Sequence, residues 1–150
     1  LVARLRKHPL ARAVRIDKVR LAGLVVTLLH YVKGEAEVRV PVWRMISMPL
    51  ADIEKRAGYW SKAIGDAASV VDGRSMVGGG SLPGGTLPTC LVRIDCARRA
   101  QRIAGELRKG TPSIIGRIEE NNLLLDPRTV LPEEDDPMLK RLSVVLSQPR

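Results

Sequence analysis

Two arginines three residues apart, Arg12 and Arg15, are the side chains of this sequence best suited to hold an anion. On one helical segment that spacing puts both guanidinium forks on neighbouring positions of one face. There they could converge on a phosphate-like group, with Arg4, Arg6, Lys7, Lys18 and Arg20 close by in sequence. A solvated basic face has the same spacing, and spacing alone favours it. Arg117 sits in an apolar run, Ile114-Ile115-Gly116-Arg117-Ile118. On a strand it shares a face with Ile115 and Glu119. A half-buried arginine there needs an anion, either Glu119 or a substrate carboxylate, and a structural pairing is the simpler reading. The glycine run Met76-Val77-Gly78-Gly79-Gly80-Ser81-Leu82-Pro83-Gly84-Gly85 invites comparison with a phosphate cradle. It has no Gly-Lys-Ser/Thr, and Pro83 stands where a GxGxxG pattern from Gly78 needs glycine. A close backbone contact with another domain or subunit is the better reading. His8, His30 and Ser81 have no partner at catalytic or metal-ligand spacing, and no nucleophile–base pair, paired-carboxylate site or metal cluster is evident.

The remaining composition narrows the function classes. Of 150 residues, 25 are basic and 16 acidic, for a net charge of +9. Such a balance favours a polyanionic partner, because neutralising phosphates releases condensed counterions. Aromatic residues are only 3%, with no Phe, which argues against a single-strand binder that stacks bases on rings. Cys90 and Cys96 would lie about 20 Å apart on a strand at ~3.3 Å per residue, too far for a disulfide, and their spacing does not suit zinc. They read as reduced, structural thiols of a cytosolic protein. No apolar run approaches the roughly 20 residues of a membrane span. The start at Leu1, directly in helical pattern, reads as a piece of a longer protein.

The elements that must position these residues follow from periodicity. Residues 1–15 are basic and helical in pattern, broken at Pro9. Asp17 is a good N-cap for a helix whose apolar set is Leu21, Leu24, Val25, Leu28, Leu29 and Val32, with Gly34 at the C′ position. Charged and β-branched residues alternate over Glu35–Val40, and Pro41 marks a domain boundary or hinge. Val42–Ser47 is expected to be extended. Pro49 begins a helix that buries Leu50, Ile53, Ala57, Trp60 and Ile64. Strands are expected over Ala68–Asp72 and Leu91–Asp95, with a turn at Asp72-Gly73. Asp95 is expected to cap a helix with inward residues Ala100, Ile103, Ala104 and Leu107, ending at Gly110. Ile114–Ile118 and Leu123–Leu125 form a hairpin about Asn121-Asn122. Four acids at 133–136 precede Pro137, the expected start of the last helix. This order predicts an α+β fold with helices on one face of a small, mostly antiparallel sheet.

Several of these stretches, in order, resemble the C-terminal portion of the bacterial selenocysteine synthase family, the L-seryl-tRNA(Sec) selenium transferases. They are Lys7-His8-Pro9-Leu10-Ala11-Arg12-Ala13-Val14-Arg15-Ile16-Asp17-Lys18, Pro41-Val42-Trp43-Arg44-Met45-Ile46-Ser47, the glycine run, Gly116-Arg117-Ile118-Glu119, Leu123-Leu124-Leu125-Asp126-Pro127-Arg128-Thr129-Val130 and Leu131-Pro132-Glu133-Glu134-Asp135-Asp136. The resemblance implies an aspartate-aminotransferase type of pyridoxal phosphate (PLP) fold. Residues 1–40 would be the tail of the large domain with its connecting helix, and residues 41–150 the small C-terminal domain. It implies dehydration of serine on tRNA(Sec) with PLP, addition of selenium from selenophosphate, and a homo-oligomer. By the same resemblance, Arg12 and Arg15 line the selenium-donor site and Arg117 is a candidate for the substrate carboxylate. The family's Schiff-base lysine stands in a Gly-Asp-Lys setting that no lysine here shares, so this chain alone is expected to be inactive. A related PLP lyase acting on a phosphorylated sugar acid or amino acid, or a non-catalytic basic RNA-binding module, are the alternatives.

Overall fold

Helix α3, Lys18–Val32, shows how directly local sequence fixes this fold. Asp17 takes the extended N-cap conformation, and its Oδ1 accepts hydrogen bonds from the backbone of Val19 at 3.0 Å and Arg20 at 2.9 Å. At the other end Gly34 adopts φ +71°, a conformation easiest for glycine. Its N–H reaches Tyr31 O and that of Glu35 reaches His30 O, which closes the paired Schellman arrangement. The computed structural model describes residues 1–78 and 84–148. The expected close contact of the glycine run falls largely on residues 79–83, outside the described residues.

The chain forms two compact units, Leu1–Arg44 and Met45–Arg150. The first holds α1 (Val2–Lys7), α2 (Leu10–Ala13), α3, α4 (Ala36–Arg39) and the start of α5 (Pro41–Ser47). The break between α1 and α2 falls at Pro9, as the ring's loss of a backbone donor requires. No residue of this unit is buried. The apolar face of α3, from Leu21 to Leu29, remains about half exposed, with Leu24 at 49%. It is a helix with hydrophobic residues in excess of what its own unit can cover.

The second unit is α+β. Its elements are the end of α5, α6 (Leu50–Ile64), β1 (Ala68–Met76), β2 (Thr86–Asp95), α7 (Ala100–Lys109), β3 (Arg117–Glu119), β4 (Asn122–Leu125) and α8 (Asp135–Leu146). The four strands form an antiparallel sheet in the order β1-β2-β4-β3. Alternate residues of β2, Cys90, Val92 and Ile94, join Ile53, Ala57 and Trp60 of α6 in one core. Ile103 and Leu107 of α7, Leu123 and Leu125 of β4, and Leu142 and Val145 of α8 complete it. Each such fully buried apolar side chain contributes about 1.5–3 kcal/mol relative to exposure. The helices thus share the core of one sheet face, as the periodicity predicted. The expected inward faces of α6 and α7 are correct except at Leu50, which is 44% exposed.

Five expectations are corrected. Val42–Ser47 is not extended but belongs to helix α5, which Pro41 opens at the position where its missing N–H is harmless. Asp72-Gly73 is not a turn: β1 runs through it, pairing Asp72 with Cys90 and Gly73 with Thr89. Glycine is needed there because Leu91 folds over it; a Cβ on Gly73 would meet Leu91 Cγ at 2.6 Å. Asp95 does not cap α7. Its Oδ1 accepts from Ala97 N at 2.9 Å, in a turn where Ala97 and Arg98 have φ +45° and +67°, and α7 starts only after Arg99. β3 is confined to Arg117–Glu119, shorter than the expected Ile114–Ile118, while β4 starts one residue before the expected Leu123, and the hairpin turns at Glu120-Asn121, whose φ values are +50° and +63°, one residue earlier than the Asn-Asn pair. Finally, α8 begins at Asp135 rather than Pro137, because a short 3-10 turn over Pro132–Glu134 leads straight into it.

Candidate functional site

Arg12 lies on α2, and Arg15 lies beyond its end in the link that leads to Asp17. The shared helical face assumed from their spacing is therefore not formed: α2 stops at Ala13, and the chain straightens to give Asp17 its extended capping conformation. Both side chains are exposed, and among the described residues neither guanidinium meets a carboxylate. Their unit carries ten basic and three acidic residues, so +7 of the chain's +9 is concentrated in its first 44 residues. An exposed pair of guanidinium forks in such a field can bind a dianion without first breaking an internal ion pair.

Arg117 belongs to the second unit, on β3, where it pairs with Leu124. It is exposed rather than half-buried, and its Nε lies 3.8 Å from Glu119 Oε1. β3 is an edge strand whose Ile118, opposite Leu123, packs on the core, so alternation turns Arg117 to the other face. A loose surface pair of this kind contributes about 0–1 kcal/mol and leaves Arg117 available.

His8 Nδ1 accepts from Leu10 N at 3.2 Å, and His30 Nδ1 lies 3.3 Å from Glu35 Oε2. Ser81 lies outside the described residues. Cys90 and Cys96 are unpaired and buried, and burial pushes both thiols above their ordinary value. Among the described residues no group of three or more His, Cys, Asp and Glu gathers as metal ligands. Among the described residues no helix is long and apolar enough to cross a membrane.

Sequence reasoning missed the best-organised polar site. Arg128 is 5% exposed, yet no acidic side chain touches its guanidinium among the described residues. Instead Nη1 donates to the carbonyls of Met45 (2.9 Å), Ile46 (3.1 Å) and Met48 (3.2 Å), and Nη2 to Pro88 O (2.8 Å). Burial lowers its pKa, opposed only by the nearby charge of Asp126. That carboxylate accepts from Ser75 Oγ at 2.6 Å, Thr89 Oγ1 at 2.9 Å and Arg128 N at 3.0 Å. Beside it, Arg56 pairs with Asp135 through two nitrogens, donates to Pro127 O and Val130 O, and lies over the Trp60 ring at 5.4 Å. The signal available in sequence was Asp126-Pro127, a cap followed by a proline suited to the first position of a helical turn. A cleft of about 550 Å³ opens next to Asp126, between the 111–115 segment and the start of α8.

Comparison with known proteins gives these features a context. The family model described as L-seryl-tRNA selenium transferase, SelA, matches residues 1–131. The chain is 39% identical over 141 residues to the L-seryl-tRNA(Sec) selenium transferase of Carboxydothermus hydrogenoformans, covering 90% of this chain and 30% of that protein. It is 38% identical over 152 residues to that of Aquifex aeolicus (98% and 33%) and 40% over 142 residues to that of Geotalea daltonii (89% and 31%). The chain therefore spans about a third of the length of these curated relatives. The resemblance read from the ordered motifs is borne out over nearly the whole sequence: this chain belongs to the L-seryl-tRNA(Sec) selenium transferase family.

Proposed function

We propose that this chain is the C-terminal part of a PLP-dependent selenium transferase that converts seryl-tRNA(Sec) to selenocysteinyl-tRNA(Sec) with selenophosphate as donor. The observation that carries the reading is the collinear family match across residues 1–131. In this reading Arg12 and Arg15 bind the anionic selenium donor. Their exposure, and the concentration of positive charge around them, suit a compact dianion held by charge-assisted hydrogen bonds. Arg117, exposed beside only a loose partner, is the candidate for a substrate carboxylate. The arrangement of an aspartate-aminotransferase-type enzyme, with residues 1–40 as the tail of its large domain and residues 41–150 as its small domain, belongs to the same proposal. So do a cytoplasmic location and a homo-oligomer.

The residues present do not themselves fit a PLP site. A Schiff-base lysine works from a desolvated pocket that activates its amine, and all seven lysines here are exposed. Lys55 does border a shallow groove, but with Asp52, Tyr59 and Pro132 rather than a cradle of backbone N–H groups. The cofactor's lysine is accordingly assigned to a part of the protein outside this sequence, and these 150 residues alone are expected to be inactive.

The test uses full-length protein. Purified with PLP, it should show the absorbance of a bound internal Schiff base and convert seryl-tRNA(Sec) to the selenocysteinyl form when given selenophosphate. A colourless protein would refute the PLP assignment. A coloured one that leaves seryl-tRNA(Sec) unchanged would favour a lyase acting on a small phosphorylated substrate.

A further inference from the structure

Strand β1 forms one edge of the sheet, paired with β2 alone through nine consecutive positions without a bulge. Ala67 O accepts from Asp95 N, and Val77 N donates to Gly85 O, so the odd-numbered residues here turn their backbone groups toward β2. Antiparallel alternation then points the N–H and C=O of the even-numbered residues away from it. Ala68 agrees: its N–H reaches Gly65 O at 2.9 Å, and its O accepts from Ser61 Oγ at 3.1 Å. Among the described residues no such partner meets the corresponding groups of Val70, Asp72, Arg74 and Met76. A row of this kind is a template for another strand. The four side chains share one face and are all exposed, Val70 at 41% and Met76 at 61%. Neither Asp72 nor Arg74 enters an ion pair among the described residues. The Arg74 guanidinium rests on Thr86 instead, its Nε 2.5 Å from Oγ1.

We propose that this edge is an interface with a second copy of the chain, the two β1 strands pairing antiparallel about a two-fold axis at Gly73. In that register Asp72 of each protomer faces Arg74 of its partner, and Val70 faces Met76, so two opposite-charge pairs are flanked by two apolar ones. All four pairs join outward-pointing residues, as the ladder's hydrogen bonds require. Gly73 meets its own copy at the axis, a non-hydrogen-bonded position where backbones come closest and glycine has no side chain to part them. The adjoining registers that keep the hydrogen bonds set Asp72 against Asp72 or Arg74 against Arg74, like charges directly opposite. The order of charges thereby selects one register. An edge guarded against association carries charges that repel a second copy, whereas these attract one. At the opposite edge, β3 has a similar alternation, but its Arg117 lies beside its own Glu119 and the strand is only three residues long. The proposal deepens the homo-oligomer reading above and rests on it.

The test is made on the full-length protein. Wild type, Asp72→Arg, Arg74→Asp and the double variant carrying both reversals are compared by sedimentation over a range of concentrations and by amide hydrogen exchange. Each single reversal replaces two attractive pairs with two repulsive ones and is expected to weaken the association about tenfold or more. The double variant restores both pairs and should return to within about threefold of wild type. In assembled wild type the amides of Val70, Asp72, Arg74 and Met76 should be as protected as those of Val71, Gly73 and Ser75, and should exchange faster in both single variants. The wild-type exchange pattern reads the pairing without any substitution, so a variant that fails to fold leaves the test intact. Unprotected even-numbered amides in the assembled wild type, or folded single variants that assemble as wild type does, would overturn the interface alone. So would a folded double variant that does not recover. A wild type that stays monomeric at every concentration would overturn the homo-oligomer reading and this interface together.

Discussion

Replacing Arg56 with alanine should be among the most damaging single changes in the second unit. The side chains of Arg56 and Asp135 are each only 13% exposed, and Arg56 also serves Pro127 O, Val130 O and the face of Trp60. Removing one partner of a buried ion pair costs about 3–5 kcal/mol, because the other charge is stranded. Asp135 sits in the first turn of α8, where the helix dipole favours a carboxylate, so the lower end applies, about 3 kcal/mol. Asp135→Asn should cost less, about 1–2 kcal/mol, because Arg56 keeps its two carbonyls. Against a total of about 5–15 kcal/mol for a domain, the alanine variant is expected to lower the urea midpoint of this chain by roughly 2 M. Fluorescence of the fully buried Trp60 reports the transition. A double-mutant cycle should return a coupling of about 1–2 kcal/mol between the two residues. A midpoint shift under about 0.5 M with an unchanged slope, or no coupling, would refute the reasoning.

Three further outcomes follow from other parts of the fold. Asp17→Ala should cost about 1 kcal/mol of helix stability by removing the α3 cap, seen as lost helical circular dichroism; full helicity would show that the cap is dispensable. Gly73→Val should destabilise the sheet by about 1–3 kcal/mol through overpacking against Leu91, while Leu91→Ala in the same chain should recover part of the loss; a neutral Gly73→Val contradicts the close approach. Burial raises the Cys90 and Cys96 thiols above 9.0 in the folded state, so the folded form binds their protons more tightly. Their contribution is complete below that value and is lost as pH rises through the folded values. Urea midpoints should therefore fall faster above pH 9.0 in wild type than in a Cys90→Ala, Cys96→Ala double variant; equal slopes would remove the thiols from the account.

Legibility in the sequence followed the range of the interactions involved. The capped α3 helix, the inward faces of α6 and α7 and the Leu91–Asp95 part of β2 are local patterns, and the sequence showed them. The turn assigned to Asp72-Gly73 failed because that glycine answers to Leu91 on the neighbouring strand, a contact absent from any local window. Asp95 looked like a cap because its type is right, but two residues in left-handed conformation intervene before the helix. Arg12 and Arg15 were legible as a basic pair, while their common helix was not, because the cap at Asp17 requires an extended lead-in. Arg128 escaped notice altogether. Its partners lie about 40 and 80 positions away in sequence and are backbone carbonyls, which every residue possesses and no motif advertises.

The central claim is that this chain brings an anion-binding arginine pair to a selenium transferase whose cofactor lysine is encoded elsewhere in the protein. Its most direct measurement is selenium transfer from selenophosphate to seryl-tRNA(Sec) by the full-length protein, wild type against Arg12→Ala with Arg15→Ala. The account predicts an active wild type and a double variant that keeps its PLP absorbance but has no measurable turnover. Turnover by the double variant equal to wild type would contradict it.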